Sequence, residues 1–161
     1  MKEYKGIIIM FIVTLCLVIL SFVVKAYADD ECWVLCQPDS FVNVRASSSK
    51  NGDVLGRVEC GDKLCTDGKT KDGFLHLTGL SFESTEGWIH KGYIVYDEPY
   101  APCFQDTTIQ SNGRVAARKT VNGDRKSWLK DGQKIKVYSV SQEWSVTNKG
   151  FVKTDYVDLG R

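Results

Sequence analysis

The sequence has few of the residues and patterns on which several classes of protein depend. Its 161 residues include only two histidines, three prolines and two methionines, and 21 basic side chains nearly balance 20 acidic ones. Nucleic-acid-binding proteins usually carry a surplus of basic residues, so this balance argues against that class. No stretch repeats apolar residues at sustained helical spacing, which argues against a helical fold. Short alternating segments remain, and these are typical of β-strands.

The first 28 residues have the organisation of a secretory signal. Lysines precede an uncharged run over residues 7–24, and Ala26-Tyr27-Ala28 supplies small residues for cleavage before Asp29. The alternative is an uncleaved anchor, because this run of eighteen residues lies at the lower limit for spanning a bilayer. We therefore expect a secreted, extracellular or cell-surface protein, with membrane anchoring by residues 7–24 as the alternative.

Five of the six cysteines follow the signal, and four of these lie in the first half of the remaining chain. An exported chain meets oxidising conditions, so disulfides are expected. The candidates are Cys32, Cys36, Cys60 and Cys65, whose three possible connectivities stay open. Cys103 is then a free thiol or pairs with another chain. Zinc is the alternative, but the two pairs are separated by three and four residues rather than the two of a zinc ribbon. We therefore predict neither a metal nor a cofactor.

Two segments roughly seventy residues apart begin in the same way, which indicates an internal repeat. Val42-Asn43-Val44-Arg45 alternates apolar and polar side chains as a half-buried strand does, and Val115-Ala116-Ala117-Arg118 repeats it. Two further pairs keep an interval of 71 residues, namely Gly52 with Gly123 and Gly61 with Gly132. Five or six short strands per unit, joined by Gly and Asp turns, predict an all-β fold with a small barrel in each half.

The best boundary between the halves is a segment with two of the three prolines, Pro99 and Pro102, and no hydrophobic periodicity. The predicted organisation is a signal peptide at 1–28, a first unit at 29–97, a linker at 98–108 and a shorter, degenerate second unit at 109–161.

The first unit resembles the bacterial SH3-type (SH3b) domains. The residues that carry the resemblance are Asn43-Val44-Arg45, Leu55-Gly56, Gly61-Asp62, Phe74, Gly87-Trp88-Ile89 and Tyr93-Ile94. The second unit is similar but weaker, with Ala117-Arg118, Gly132-Gln133 and Gly150-Phe151, while Trp144 keeps the aromatic position. The resemblance implies two tandem small SH3-like β-barrels behind the N-terminal signal helix.

Modules of this family usually accompany secreted or surface proteins and are thought to bind peptidoglycan peptides or other cell-wall components, often beside a wall hydrolase. No hydrolase domain is evident here, so the resemblance implies a non-catalytic binding module for a cell-wall polymer or peptide. A Cys-His hydrolase would need an activated thiol, and His76 and His90 both fall in predicted strands. The alternative is an extracellular protein-interaction or inhibitor module, stapled by disulfides and using the long loop from Thr78 to Glu86.

Ligand contacts are expected from aromatic rings and from two arginines. The candidates are Arg45, Trp33, Phe74, Tyr96, Arg118, Trp128 and Trp144. Most rings of so small a barrel should lie in its core, and Tyr96, Trp33 and Trp128 are the least certain to do so. The arginines follow strands and could bind a carboxylate of a wall peptide. The alternative for both arginines is that the guanidinium holds its own loop through backbone carbonyls.

Overall fold

The computed structural model describes residues 29–79, 86–100 and 105–160. Within these ranges the chain forms thirteen strands and two short 3-10 helices, with no α-helix. The first seven strands are β1 Asp30–Val34, β2 Phe41–Arg45, β3 Val54–Glu59, β4 Lys63–Lys71, β5 Phe74–Gly79, β6 Gly87–His90 and β7 Ile94–Val95. The other six are β8 Gln105–Thr108, β9 Arg114–Arg118, β10 Arg125–Lys130, β11 Lys134–Val140, β12 Trp144–Thr147 and β13 Gly150–Lys153. The 3-10 helices, Lys91–Tyr93 and Thr154–Tyr156, follow β6 and β13.

The strands form two separate antiparallel sheets. The first has the order β3-β2-β6-β5-β4-β1-β7, and the second has the order β10-β9-β13-β12-β11-β8. The two orders match strand for strand, except that a single bridge between Ile109 and Val157 stands where β1 pairs with β7. The prediction of an all-β fold is confirmed, and two sheets are what two SH3-like units would give.

Equivalent strands of the two sheets bury equivalent positions. In β2, Val42 and Val44 point into the first core, and in β9 Val115 and Ala117 point into the second. Both strands alternate because successive side chains of a strand face opposite sides of the sheet. The alternation seen in the sequence therefore marks the same place in each core.

The tight turns after β3 and β10 are closed by the same hydrogen bond made with different side chains. The Asp62 carboxylate accepts from the backbone N–H of Glu59 at 2.8 Å, and the Gln133 amide oxygen accepts from that of Lys130 at 3.0 Å. Gln can replace Asp here because only an oxygen acceptor at this distance is required. The turn therefore survives in the unit whose sequence pattern is weaker.

One strand lies where the sequence interpretation placed a linker. Residues 105–108, within the predicted 98–108 linker, form β8 and pair with β11, from Lys134↔Thr108 to Val137↔Gln105. The segment Gln-Asp-Thr-Thr is polar and lies at an edge of the sheet, so it shows no hydrophobic alternation. Edge pairing through backbone groups needs no apolar side chains, which is why the pattern did not reveal it.

The two sheets pack against each other through a shared apolar cluster. Leu35 and Val95 of the first half contact Trp144, Val146 and Phe151 of the second. All five are buried. Through this cluster the two halves of the chain are in direct contact in this structure.

Backbone contacts reinforce this junction. The N–H of Val121 donates to the carbonyl of Gly92 at 2.8 Å, and the N–H of Tyr100 donates to the carbonyl of Val140 at 2.7 Å. Gly92 lies so close to Thr120 that an added Cβ would meet the Thr120 Cβ at 2.7 Å. The approach of the two backbones at this point therefore depends on glycine.

Several predictions fall outside the described residues. These are the signal peptide with its cleavage or anchoring, most of the loop from Thr78 to Glu86, and the thiol of Cys103. In the ranges that the structure describes, no helix has the length and apolar character needed to cross a membrane.

Candidate functional site

A groove of about 650 Å³ lies where the first sheet meets the loop after β9, and we call it the junction groove. Its walls come from β2, the loop after β2, the ends of β5 and β6, and the loop at 119–124. The lining residues are Phe41, Val42, Asn43, Arg45, Lys50, Phe74, His90, Tyr93, Lys119, Thr120, Gly123 and Asp124. Both halves of the chain therefore build the groove.

The two arginines predicted to bind ligand each hold a loop beside this groove. The Arg45 Nη1 donates to the carbonyl of Gly52 at 2.7 Å, and the Arg118 Nη1 donates to that of Gly123 at the same distance. These are the loop contacts that the sequence analysis gave as the alternative to carboxylate binding. Because each guanidinium carries five N–H donors, such a contact leaves others for a ligand. Carboxylate binding by Arg45 and Arg118 therefore stays a prediction.

Polar groups of opposite character face the junction groove. Asn43 lies midway along β2, and its side-chain oxygen is buried without a hydrogen-bond partner among the described residues. Lys50 and Lys119 are exposed on the loops that follow β2 and β9, and Asp124 is exposed nearby. The groove therefore offers an acceptor, two cations and one carboxylate to a bound molecule.

Aromatic side chains form a connected series along the inner side of the groove. The Phe74 ring meets the His90 ring edge-on at 5.4 Å between centroids, and the His90 and Tyr93 rings are 5.8 Å apart. Tyr93 in turn contacts Phe151 of the second half at 6.1 Å. Phe74 is only 4% exposed, so its ring mainly supports this series from the core.

His90 is a titratable side chain in the wall of the groove. The pKa of its imidazole lies below the usual 6.5, first because burial disfavours the charged ring and then because Lys50 and Lys91 repel a positive charge there. The Nδ1 atom accepts a hydrogen bond from the backbone N–H of Gly92 at 3.2 Å. Lys50 and Lys91 therefore place positive charge near His90, which favours a bound anion.

The lowered pKa predicts a pH dependence of stability. Between the folded and unfolded pKa values of His90 the unfolded chain binds more protons, so stability is full above about pH 6.5 and falls below it. We expect the free energy of unfolding to fall more steeply between pH 7 and pH 5 in the wild type than in His90→Asn. Asn keeps an acceptor for the Gly92 N–H but does not titrate. Urea titrations at several pH values measure this, and parallel curves for the two proteins would contradict it.

A second groove of about 430 Å³ brings together two other predicted residues. Tyr96 and Trp144 both line it, with Asp97, Asn122 and Glu143 beside them. Tyr96 is 61% exposed, whereas Trp144 is 2% exposed and has Lys153 Nζ at 4.5 Å from its ring centroid. Of these two predicted residues, only Tyr96 therefore presents a substantial surface to a ligand in this groove.

The structure places the remaining predicted rings apart from each other. Trp33 packs against the apolar cluster between the sheets, with Lys63 Nζ at 5.6 Å from its ring centroid. Trp128 is 48% exposed on β10 beneath the Arg125 guanidinium, which lies 4.5 Å from the ring centroid. Neither ring faces the junction groove. Ligand binding by these two residues stays a prediction.

The four described cysteines are free thiols in the structure, so the predicted disulfides stay a prediction. Cys36 and Cys60 are in contact, because the Cys60 Sγ accepts from the Cys36 N–H at 3.1 Å. Cys32 lies opposite Leu64 in the β1–β4 pair, and Cys65 follows Leu64 directly. Neighbouring residues of a strand point to opposite faces, so Cys32 and Cys65 are on different sides of the sheet.

The two histidines are engaged in contacts of their own. The His76 Nδ1 lies 3.1 Å from Asp67 Oδ1, and its ring packs at 4.9 Å from the Trp88 ring. His90 binds Gly92 as described. In the described part of the chain, no three His, Cys, Asp or Glu side chains cluster closely enough to hold a metal ion.

Sequence reasoning missed most of the groove's polar residues. Lys50 and Lys119 belong to loops that follow equivalent strands, so the internal repeat was the feature of the sequence that could have indicated these two residues. Asn43 could also have been identified from the sequence, because a polar residue between two valines of a strand points to the opposite face of that strand. His90 gave no comparable signal.

Comparison with known proteins finds one family and a few distant structures. The family model described as "Bacterial SH3 domain" matches residues 40–95. No curated protein matches the chain. Among solved structures, NlpC1 from Trichomonas vaginalis is 12% identical, with a TM-score of 0.34 and coverage of 81% of this chain and 45% of that one. NlpC2 from the same organism is 9% identical, with a TM-score of 0.34 and coverage of 81% and 48%. The chain thus spans about half the length of each.

The matched segment supplies most of the junction groove. It contains β2 with Asn43 and Arg45, the loop bearing Lys50, and the ends of β5 and β6 that carry Phe74 and His90. The second half lies outside the match, so its assignment as a further domain of the same kind stays a prediction. The resemblance seen in the sequence is confirmed for residues 40–95, which match the bacterial SH3 domain family.

Proposed function

We propose that this chain is a non-catalytic binding module, exported from the cell, that holds a bacterial cell-wall peptide in the junction groove. The observation that carries the proposal is the electropositive groove built mainly by residues 40–95, the segment that matches the bacterial SH3 domain. SH3-type domains are binding domains. A small barrel binds extended peptides in shallow surface grooves where rings supply rigid contact area.

The groove's polar groups suit a peptide with free charged ends. Lys50 and Lys119 can each donate to a carboxylate, and the side-chain oxygen of Asn43 can accept from a peptide N–H. Asp124 can pair with an amine. Wall peptides carry such carboxylates alongside peptide N–H groups, so one ligand could satisfy the whole set.

The proposal assigns the second half of the chain a direct part in binding. Lys119 and Asp124 lie on its first loop, and their position against the first sheet is fixed by the bond from Val121 to Gly92. A single composite groove therefore forms at the junction, rather than one independent site in each half. Preorganised walls bind more tightly than mobile ones because less ordering is needed on binding.

Co-sedimentation with purified wall sacculi tests the proposal. We expect the wild-type protein to sediment and the double variant Lys50→Gln/Lys119→Gln to bind at least about tenfold more weakly, since each charged hydrogen bond is worth roughly 1.5–3 kcal/mol. The matched control is Lys71→Gln/Lys130→Gln, which removes from each sheet one exposed lysine that does not line the groove. It should bind like the wild type.

Two results would count against a wall ligand in this groove. If both double variants lost binding equally, the attraction would reflect net charge and not the groove. If the folded wild-type protein failed to sediment above a heat-unfolded control, the wall would not be the partner. That result would favour the alternative of an extracellular protein partner.

A further inference from the structure

We infer that Cys36 and Cys60 are a redox pair that closes to an intrachain disulfide, while Cys32 and Cys65 stay as thiols. The inference rests on the contacts of these side chains and is independent of the proposed wall ligand.

The sulfur of Cys60 already lies against Cys36. It accepts a hydrogen bond from the Cys36 N–H at 3.1 Å and donates one to the Cys36 carbonyl at 2.8 Å. Bond formation therefore requires a local rotation of side chains and not a movement of strands.

The backbone on both sides of the pair is held in place. The Gly61 N–H donates to the carbonyl of Val34 at 2.8 Å, and the Val34 N–H donates to the carbonyl of Asp62 at 2.9 Å. These bonds fix the end of β1 against the turn after β3. The disulfide would thus covalently join two segments that are 24 residues apart in sequence and already neighbours.

The two thiols differ in access and acidity. Cys36 is 3% exposed, whereas Cys60 is half-buried. The side-chain contact between the two cysteines lowers the pKa of Cys60 despite its burial and raises the pKa of Cys36. The lowered pKa favours the Cys60 thiolate, which is the nucleophile in disulfide exchange.

The oxidant in this reaction is a low-molecular-weight disulfide. The Cys60 thiolate attacks one sulfur of that disulfide, forms a mixed disulfide and releases the first thiolate. The Cys36 thiol then loses its proton and attacks the Cys60 sulfur, which releases the second thiolate. Two electrons pass to the oxidant, which leaves as two thiols.

The other two cysteines are arranged differently. Cys32 is fully buried beside Leu64, and Cys65 lies on the opposite face of the same strand pair. A bond between them would need one side chain to pass through the sheet. They therefore serve as internal controls.

Trypsin separates the relevant cysteines of the full chain. Cleavage after Arg45, Arg57, Lys63 and Lys69 gives one peptide with Cys32 and Cys36, a 58–63 peptide with Cys60, and a 64–69 peptide with Cys65. After treatment with glutathione disulfide near neutral pH, a non-reducing digest should contain the first peptide linked to the 58–63 peptide. Fragmentation of the linked wild-type peptide should place the bond on Cys36. The link should persist in Cys32→Ser and vanish in Cys36→Ser.

Thermal unfolding gives an independent readout. Oxidation should raise the Tm of the wild type and of Cys32→Ser by at least about 5 °C, because closing a loop of this length restricts the unfolded chain. It should leave the Tm of Cys60→Ser unchanged. A link to the 64–69 peptide, a bond placed on Cys32, or a glutathione adduct at Cys60 that never resolves would each overturn the inference.

Discussion

Replacing Trp144 with alanine is expected to lower the free energy of unfolding by about 3–5 kcal/mol. Trp144 is 2% exposed and packs in the cluster that joins the two sheets, against Leu35 and Val95 of the first half. Truncation to alanine removes apolar contacts from both sides of the junction and leaves a cavity that the rigid strands cannot fill. Urea titration followed by circular dichroism measures the loss.

Trp128 provides the matched control. It has the same side chain but is 48% exposed on β10, where it mainly stacks with Arg125. We expect Trp128→Ala to cost no more than about 1 kcal/mol, the value of an exposed cation–π contact. A loss for Trp144→Ala no larger than that for Trp128→Ala would contradict the stabilising role of the junction.

Replacing Gly150 with alanine is expected to cost roughly 3 kcal/mol or more, or to prevent folding. Gly150 has a φ of +124°, and an added Cβ would lie 2.4 Å from the carbonyl oxygen of Arg118. That oxygen belongs to the backbone of β9, which pairs with β13 next to this residue through Phe151↔Arg118. The clash can be relieved only by separating two strands of the second sheet.

Two other glycines calibrate this effect. Gly113 has open space around its Cβ position and does not occupy the left-handed region, so Gly113→Ala should change stability by less than about 1 kcal/mol. At Gly87 an added Cβ would meet the end of the Val44 side chain at 2.5 Å, so Gly87→Ala should have an intermediate effect. A Gly150→Ala variant as stable as Gly113→Ala would contradict the geometry.

Much of the fold could be predicted from the sequence because strands and turns are local. The alternation of Val42 and Val44 and its echo at Val115 and Ala117 marked equivalent strands, and both pairs are buried. β8 was missed, since a polar edge strand is held by backbone hydrogen bonds that leave no trace in side-chain pattern.

The residues of the candidate site were harder to predict from the sequence than the strands were. Arg45 and Arg118 were singled out, and the structure shows both holding the loops that border the groove. Lys50 and Lys119 were overlooked because they are 69 positions apart and meet only when the two sheets pack. No local pattern records a proximity created by the docking of two units.

The all-β character, the repeated strand order and the bacterial SH3 pattern of residues 40–95 follow from local sequence, because each depends on alternation and turn residues within short segments. Three features are visible only in the folded chain: how the halves meet, which cysteines are in contact, and the groove that both halves build. These features depend on contacts between distant segments. These contacts are stabilised by apolar burial and by close packing of the backbones, and both arise only when the two sheets have formed and packed together.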